Sequence, residues 1–175
     1  LLYHGDFLYD EVIKVPLMIT GPGVPTEPTP SHPVSLVDVF DTLCDLTGIP
    51  TPDSVTGQSL FGPHERTHVF SEYGIRDMSK SKKRPAVSKE QLEPYGLGLK
   101  CIRTNDHKFV LRSDGETELY ALPDEETSIN DDALTSDLRA TIERELGSDF
   151  THCSEPISEV TSPDIRDNLE DLGYL

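Results

Sequence analysis

Between residues 99 and 122 three short apolar runs are separated by two turn signals, a pattern that leaves the backbone little choice. Leu99-Lys100-Cys101-Ile102-Arg103 and Lys108-Phe109-Val110-Leu111 flank Asn105-Asp106. Asp114-Gly115 then precedes Glu118-Leu119-Tyr120-Ala121-Leu122. Asp-Gly supplies the positive φ that a short hairpin needs, so a meander of three antiparallel strands is expected. An acidic loop follows at 123–132. Leu134 to Leu146 then predicts a helix, with Leu138, Ile142 and Leu146 on one stripe and Gly147 at its end.

The first part of the chain is patterned differently. Residues 8–14 read as a short helix or turn with Asp10 and Glu11 toward water and Val12 inward. Val15 to Thr20 reads as a short buried strand, with Pro16 tolerated at its start and Gly21-Pro22-Gly23 as its stop. Chains seldom begin on a packed element, so an absent N-terminal part is the expectation here. Residues 22–33 hold five prolines and form a loop. Ser35 is positioned to cap a helix with Asp38 as its capping-box partner, and Leu36, Val37, Phe40, Leu43 and Cys44 recur at helical spacing. Gly48 and Pro50 end that helix. His68 to Ser71 reads as a strand. Residues 74–96 gather Lys80, Lys82, Lys83, Arg84 and Lys89 in a surface excursion that could alternatively reach an anionic substrate. Ser162-Pro163 opens a last short helix that Gly173 closes.

Charge divides the chain. The formal net charge is −17, of which residues 113–175 carry −15. Such a balance makes duplex DNA or an anionic membrane a poor partner. It reads as a solvated acidic surface, as in a salt-adapted protein, or as a docking face for a basic partner. No apolar run approaches the roughly 18–20 residues that cross a bilayer. Cys44, Cys101 and Cys153 are odd in number and share no metal-type spacing; Cys44 and Cys101 lie in apolar patterns as small buried hydrophobes. Free thiols lean toward a cytoplasmic location.

Four pieces of the sequence then fall into a familiar order. His4-Gly5 leads into Leu8-Tyr9-Asp10-Glu11-Val12-Ile13-Lys14-Val15-Pro16-Leu17, a basic residue followed by an aromatic-acid-acid step and a basic-Val-Pro-Leu strand. Val37-Asp38-Val39-Phe40-Asp41-Thr42-Leu43 leads through Gly48-Ile49-Pro50 to Gly57-Gln58-Ser59-Leu60. Ile102-Arg103-Thr104 and Lys108-Phe109-Val110 lead to Glu118-Leu119-Tyr120-Ala121-Leu122, and the chain closes on Leu172-Gly173-Tyr174-Leu175. Together they resemble the C-terminal portion of a sulfatase, a member of the alkaline-phosphatase-like superfamily. The ending and the acidity resemble prokaryotic, haloarchaeal-type members. Ala121 stands where the family usually has Asp.

The resemblance implies an α/β fold: the C-terminal part of an alkaline-phosphatase-like α/β sandwich plus a small antiparallel-sheet-and-helix subdomain. It divides the chain into residues 1–75 of the catalytic α/β domain, a basic surface loop at 76–96, and the small C-terminal subdomain with its acidic tail at 97–175. It implies hydrolysis of sulfate esters by a formylglycine nucleophile beside Ca2+ or Mg2+. The family's modification signature places Pro or Ala two residues, and Arg four residues, after a Cys or Ser. Cys44 is followed by Leu46 and Gly48, Cys101 by Arg103 and Asn105, and Cys153 by Glu155 and Ile157, so none qualifies. Nucleophile and metal ligands are therefore expected upstream, no metal ligand is assigned here, and the isolated chain is expected to be inactive.

One site residue is assigned by the resemblance. His4 stands where the family places a Lys or His against the sulfate, and as imidazolium it would donate to a sulfate oxygen or to the leaving oxygen. Lys14 is expected to form an ion pair with Asp10 or Glu11. Asp38 and Asp41 sit on one helix, where a structural role is expected rather than glycosidase-type acid–base work. Alternatives within the superfamily are a phosphodiesterase, phosphonate hydrolase or phosphoglycerol transferase. A non-enzymatic acidic interaction module or a gene remnant is the alternative outside it. The expected partner is a sulfate ester substrate, with no nucleic acid and no membrane span, and the oligomeric state is left open.

Overall fold

The computed structural model describes residues 7–25, 31–63, 66–78 and 93–152. Its centre is a four-stranded antiparallel sheet in which strands follow one another in sequence order. The strands are β1 (Val69–Tyr73), β2 (Leu99–Arg103), β3 (His107–Arg112) and β4 (Thr117–Ala121). The meander expected from residues 99–122 is present, and both of its turns have local causes. Thr104 Oγ1 accepts from the amides of Asp106 and His107 at 3.2 and 2.9 Å, closing the first. Gly115 takes φ 92° in the second, where its amide donates to Arg112 O at 3.0 Å. The strand expected near His68 pairs antiparallel with β2, Phe70 opposite Ile102, and so joins this sheet across the basic excursion.

Register places the apolar side chains on two faces. Ile102 lies opposite Phe109, and Phe109 opposite Leu119. These residues, with Leu111, are buried against Leu138 and Ile142 of α3 (Asp132–Leu146), the helix expected over 134–146. Asp131 Oδ1 caps its first turn by accepting from Leu134 N at 2.9 Å. At the other end Lys100, buried in β2, donates to the carbonyls of Leu146, Gly147 and Asp149 at 3.1, 2.7 and 2.8 Å. An ammonium there satisfies orphan carbonyls and opposes the negative end of the helix dipole.

The opposite face of the sheet buries Tyr73, Cys101 and Val110 under Leu8, with Ile13 and Leu99 packed alongside. The covering segment contains the one-turn helix α1 (Asp10–Ile13). Among the described residues no helix is long and apolar enough to cross a membrane.

Two expectations change. Val15 to Thr20 forms no strand, and Val15, Leu17 and Met18 are exposed, Met18 by 89%. A strand exists only through hydrogen bonds to a neighbour, and none of the described residues pairs with this one. The second helix, α2 (Asp38–Thr47), starts three residues beyond the expected Ser35 cap. Ser35 donates its backbone N–H to Asp38 Oδ2 at 2.7 Å, so Asp38 supplies the capping contact that its own position predicts. Gly48 ends the helix at φ 69°, as expected. Cys44 is buried, but Leu36, Val37, Phe40 and Leu43 face outward. The last expected helix, at 162–173, and the lysine cluster Lys80–Lys89 lie outside the described residues.

Candidate functional site

The site begins at the turn that follows His4. His4 itself lies outside the described residues, and the geometry starts at Phe7. Leu8 anchors the segment in the sheet, and Tyr9 O accepts from the amides of Val12 and Ile13 at 2.8 and 3.1 Å, closing α1. Asp10, expected toward water, is instead drawn onto the sheet. Arg103 Nη2 of β2 donates to its Oδ2 at 3.0 Å, and Lys108 Nζ of β3 donates to its Oδ1 at 3.3 Å. Lys108 also donates to Glu125, whose Oε2 accepts the backbone N–H of Asp10 at 2.8 Å. Of the two partners expected for Lys14, Asp10 and Glu11, the first is taken by Arg103 and Lys108, for a physical reason. Lys14 stands on the solvent side of α1, whereas Arg103 and Lys108 rise from the sheet beneath Asp10.

The electrostatics follow from burial. Lys108 has no exposed surface, and its charge is shared between two carboxylates and the Tyr9 ring, whose centroid is 5.9 Å from Nζ. Burial pushes the Asp10 carboxyl up, but the Arg103 hydrogen bond and the charges of Lys108 and Arg103 outweigh it and hold the group below its usual value of 3.8. Beside it, burial pushes the Cys101 thiol up to about 12, so it stays protonated and chemically quiet. Burial and the 2.6 Å hydrogen bond that Tyr120 donates to Glu118 raise the Tyr120 phenol. A small cavity of about 80 Å³ opens between Phe7, Tyr9, Leu97, Arg112 and Glu118.

A second constellation surrounds α2. Asp38 is fully buried and accepts from Arg66 Nη1 at 2.6 and 2.7 Å, from Ser35 N and from Gln58 N. A carboxylate saturated in this way holds loops together and has no oxygen free for proton transfer, so the structural role expected of it holds. Asp41 and Asp45 line an open cleft of about 570 Å³ but are hydrogen-bonded to Thr51 and Ser59 respectively. Among the described residues no three His, Cys, Asp or Glu side chains gather as a metal ion requires. Cys44 and Cys101 are free thiols, and both are buried. The described residues therefore offer no side-chain cluster that fits a bound cation.

Sequence reasoning assigned His4 alone to the site, read Tyr9 and Asp10 only as part of the opening motif, and missed the grouping of Asp10 with Arg103, Lys108 and Glu125. One signal was available: in the alternation of β3, Lys108 shares a face with buried Val110, and a lysine at an inward strand position calls for partners.

No family model matches the chain. Arylsulfatase K from Bos taurus is 32% identical over 137 residues, which covers 73% of this chain and 24% of that protein. Among solved structures, a Bacteroides thetaiotaomicron protein assigned to the sulfatases superposes with TM-score 0.59 at 23% identity, covering 80% of this chain and 30% of that one. A phosphonate monoester hydrolase from Silicibacter pomeroyi gives TM-score 0.59 at 24% identity, covering 82% and 30%. The chain spans about a quarter of the length of the curated relatives it matches. It is related in sequence to the sulfatases, and it has the alkaline-phosphatase-like fold of its structural neighbours.

Proposed function

We propose that this chain is the C-terminal portion of a sulfatase and that His4 donates a hydrogen bond to the sulfate group of the bound ester. The observation that carries this reading is the relationship to arylsulfatase K through most of the chain. An imidazolium at that place opposes the negative charge that builds on sulfate or leaving-group oxygen as the ester bond breaks. The formylglycine nucleophile and the divalent cation, calcium or magnesium, belong to sequence outside these 175 residues. The coverage of 24% of the relatives' length supports that division.

The outward apolar side chains of residues 15–49 belong, in this reading, to the catalytic α/β domain. Val15, Leu17, Leu36, Phe40 and Leu43 are large and exposed, whereas the sheet of β1–β4 buries both of its faces within the chain. Several large apolar side chains exposed in one stretch of sequence are what a contact with further protein would cover.

The test is to express the full-length protein and follow release of para-nitrophenol from para-nitrophenyl sulfate with calcium present. Turnover is expected, EDTA should abolish it, and His4→Ala should lower kcat by about a hundredfold. The isolated 175-residue chain should release none. Hydrolysis of a phosphonate monoester with no action on sulfate esters would overturn the ester assignment. Full activity in His4→Ala would overturn the role of that residue.

A further inference from the structure

We propose that the carbonyl oxygens of Leu146, Gly147 and Asp149 form a binding site for a primary ammonium ion, which Lys100 fills as a tethered cation. The bound ion fastens the strap of chain at residues 147–152 across the end of the sheet. The site lies under α3, because Lys100 shares a face of β2 with Ile102; the Asp10 cluster lies on the other face.

Lysine is among the residues least often fully buried, yet the Lys100 side chain is at 1% exposure in β2. An ammonium stripped of water needs an acceptor for each of its three N–H donors. Lys100 Nζ has them in the carbonyls of Leu146, Gly147 and Asp149, at 3.1, 2.7 and 2.8 Å. The nearest carboxylate, on Glu72 directly opposite in β1, stands off at 4.0 Å. The geometry is thus that of a cation in a carbonyl ring and not of an ion pair. The Phe150 ring, its centroid 5.1 Å from Nζ, closes the site. The oxygens converge because the chain reverses at Gly147, whose φ of 75° L side chains rarely adopt. Carbonyls turned to one point repel each other and lose water without replacement unless a cation or donor sits among them.

Burial does little to hold the strap. Gly147, Ser148, Asp149, Thr151 and His152 are exposed, and Phe150 alone packs against the core. The strap nonetheless reaches the end of β1. Thr151 O accepts from Ile75 N at 2.8 Å, and Ile75 and His152 form a parallel bridge. Gly98 leaves room for the crossing, since a Cβ there would fall 2.8 Å from Phe150 Cδ1. A segment with so little apolar contact opens readily unless polar contacts pin it. The ammonium joins three pieces: β2 through its own stem, the end of α3 through Leu146, and the strap through Gly147 and Asp149. The negative end of the α3 dipole adds to its hold.

Beyond Cβ the lysine side chain is propylammonium, so Lys100→Ala should leave a site that free propylammonium fills. The experiment follows amide hydrogen exchange in the full-length protein and its variants. In Lys100→Ala, exchange is expected to quicken about tenfold or more at Ile75 and at residues 148–152, while β3 and β4 keep their protection. Propylammonium chloride, added at constant ionic strength, should restore that protection and saturate; propanol at the same concentrations should not. Lys100→Met keeps the volume without the donors. It should quicken exchange at the same amides and give no response to propylammonium, because its own side chain fills the space. Exchange in Lys100→Met that matches the wild type overturns the proposal, since the strap then needs no ammonium, and this variant decides where Lys100→Ala does not fold. Equal restoration by propanol and propylammonium overturns it as well, because the site would then recognise volume and not charge. So does a folded Lys100→Ala whose strap propylammonium leaves unprotected.

Discussion

Asp10 is the residue on which the opening segment turns, and its charge state sets how firmly that segment is held. Burial opposes ionisation, but Arg103 and Lys108 prevail and keep the carboxyl below 3.8. A carboxylate whose folded pKa lies below its unfolded one adds stability above the unfolded value and loses it as pH falls through the folded one. The difference in Tm between wild type and Asp10→Asn should therefore be widest above about pH 5 and narrow as the pH drops below about 3.8. Melting curves across that range check it; a difference that stays constant would show that the negative charge is not what Arg103 and Lys108 recognise. This linkage was out of reach of local pattern. Lys108 and Asp10 are 98 positions apart, and no periodicity in either segment names the other. Strand alternation could show that Lys108 points inward, but not toward what.

The helix α2 and the loop behind it show how a short motif acquires its form. The run Gly57-Gln58-Ser59-Leu60 is strapped along the helix by three hydrogen bonds. Gln58 N donates to Asp38 Oδ1, Ser59 Oγ to Asp45 Oδ2 and Leu60 N to Thr42 Oγ1, at 3.0, 2.7 and 2.9 Å. Gly57 opens the strap where a Cβ would fall 2.3 Å from the carbonyl oxygen of Val37, a backbone atom that cannot swing aside. Gly57→Ala should cost about 1–3 kcal/mol by overpacking. Gly62→Ala, whose nearest neighbour would be at an ordinary 3.5 Å, should be close to neutral. Equal melting temperatures for the two variants would refute the steric account. The motif itself was readable, and so were the helices and the meander, because each carries its own stop signals: Gly48, Gly115, Gly147. What failed was the environment of the first part. Val15 to Thr20 has a strand's composition, and Leu36, Phe40 and Leu43 a buried helix's spacing, yet neither finds its partner among the described residues. Composition tells that a surface wants covering; only the covering element turns it into a strand or a core.

The same asymmetry governs the charge of the chain. A net charge of −17, with −15 concentrated after residue 112, means that folding gathers like charges into a smaller volume. The acidic share includes exposed positions such as Asp137 and Glu143 on α3, whose opposite face packs on the sheet through Leu138 and Ile142. Repulsion of this kind opposes compaction and is screened by salt, with a Debye length of about 10 Å at 0.1 M and about 3 Å at 1 M. Two salt effects can then be separated by their shapes. Screening saturates once the Debye length drops below the spacing of the charges, whereas exclusion of salt from apolar surface grows steadily with concentration. If repulsion dominates, most of the rise in Tm on adding potassium chloride should come below about 0.5 M. The double variant Asp137→Asn/Glu143→Gln, two charges less negative, should start from a higher Tm and show a shallower early rise. A Tm that is flat to that concentration, or a double variant that tracks the wild type, would mean that the acidic surface is solvated well enough to carry no cost. The sensitivity to salt would then have to come from the exposed apolar side chains of residues 15–49 alone.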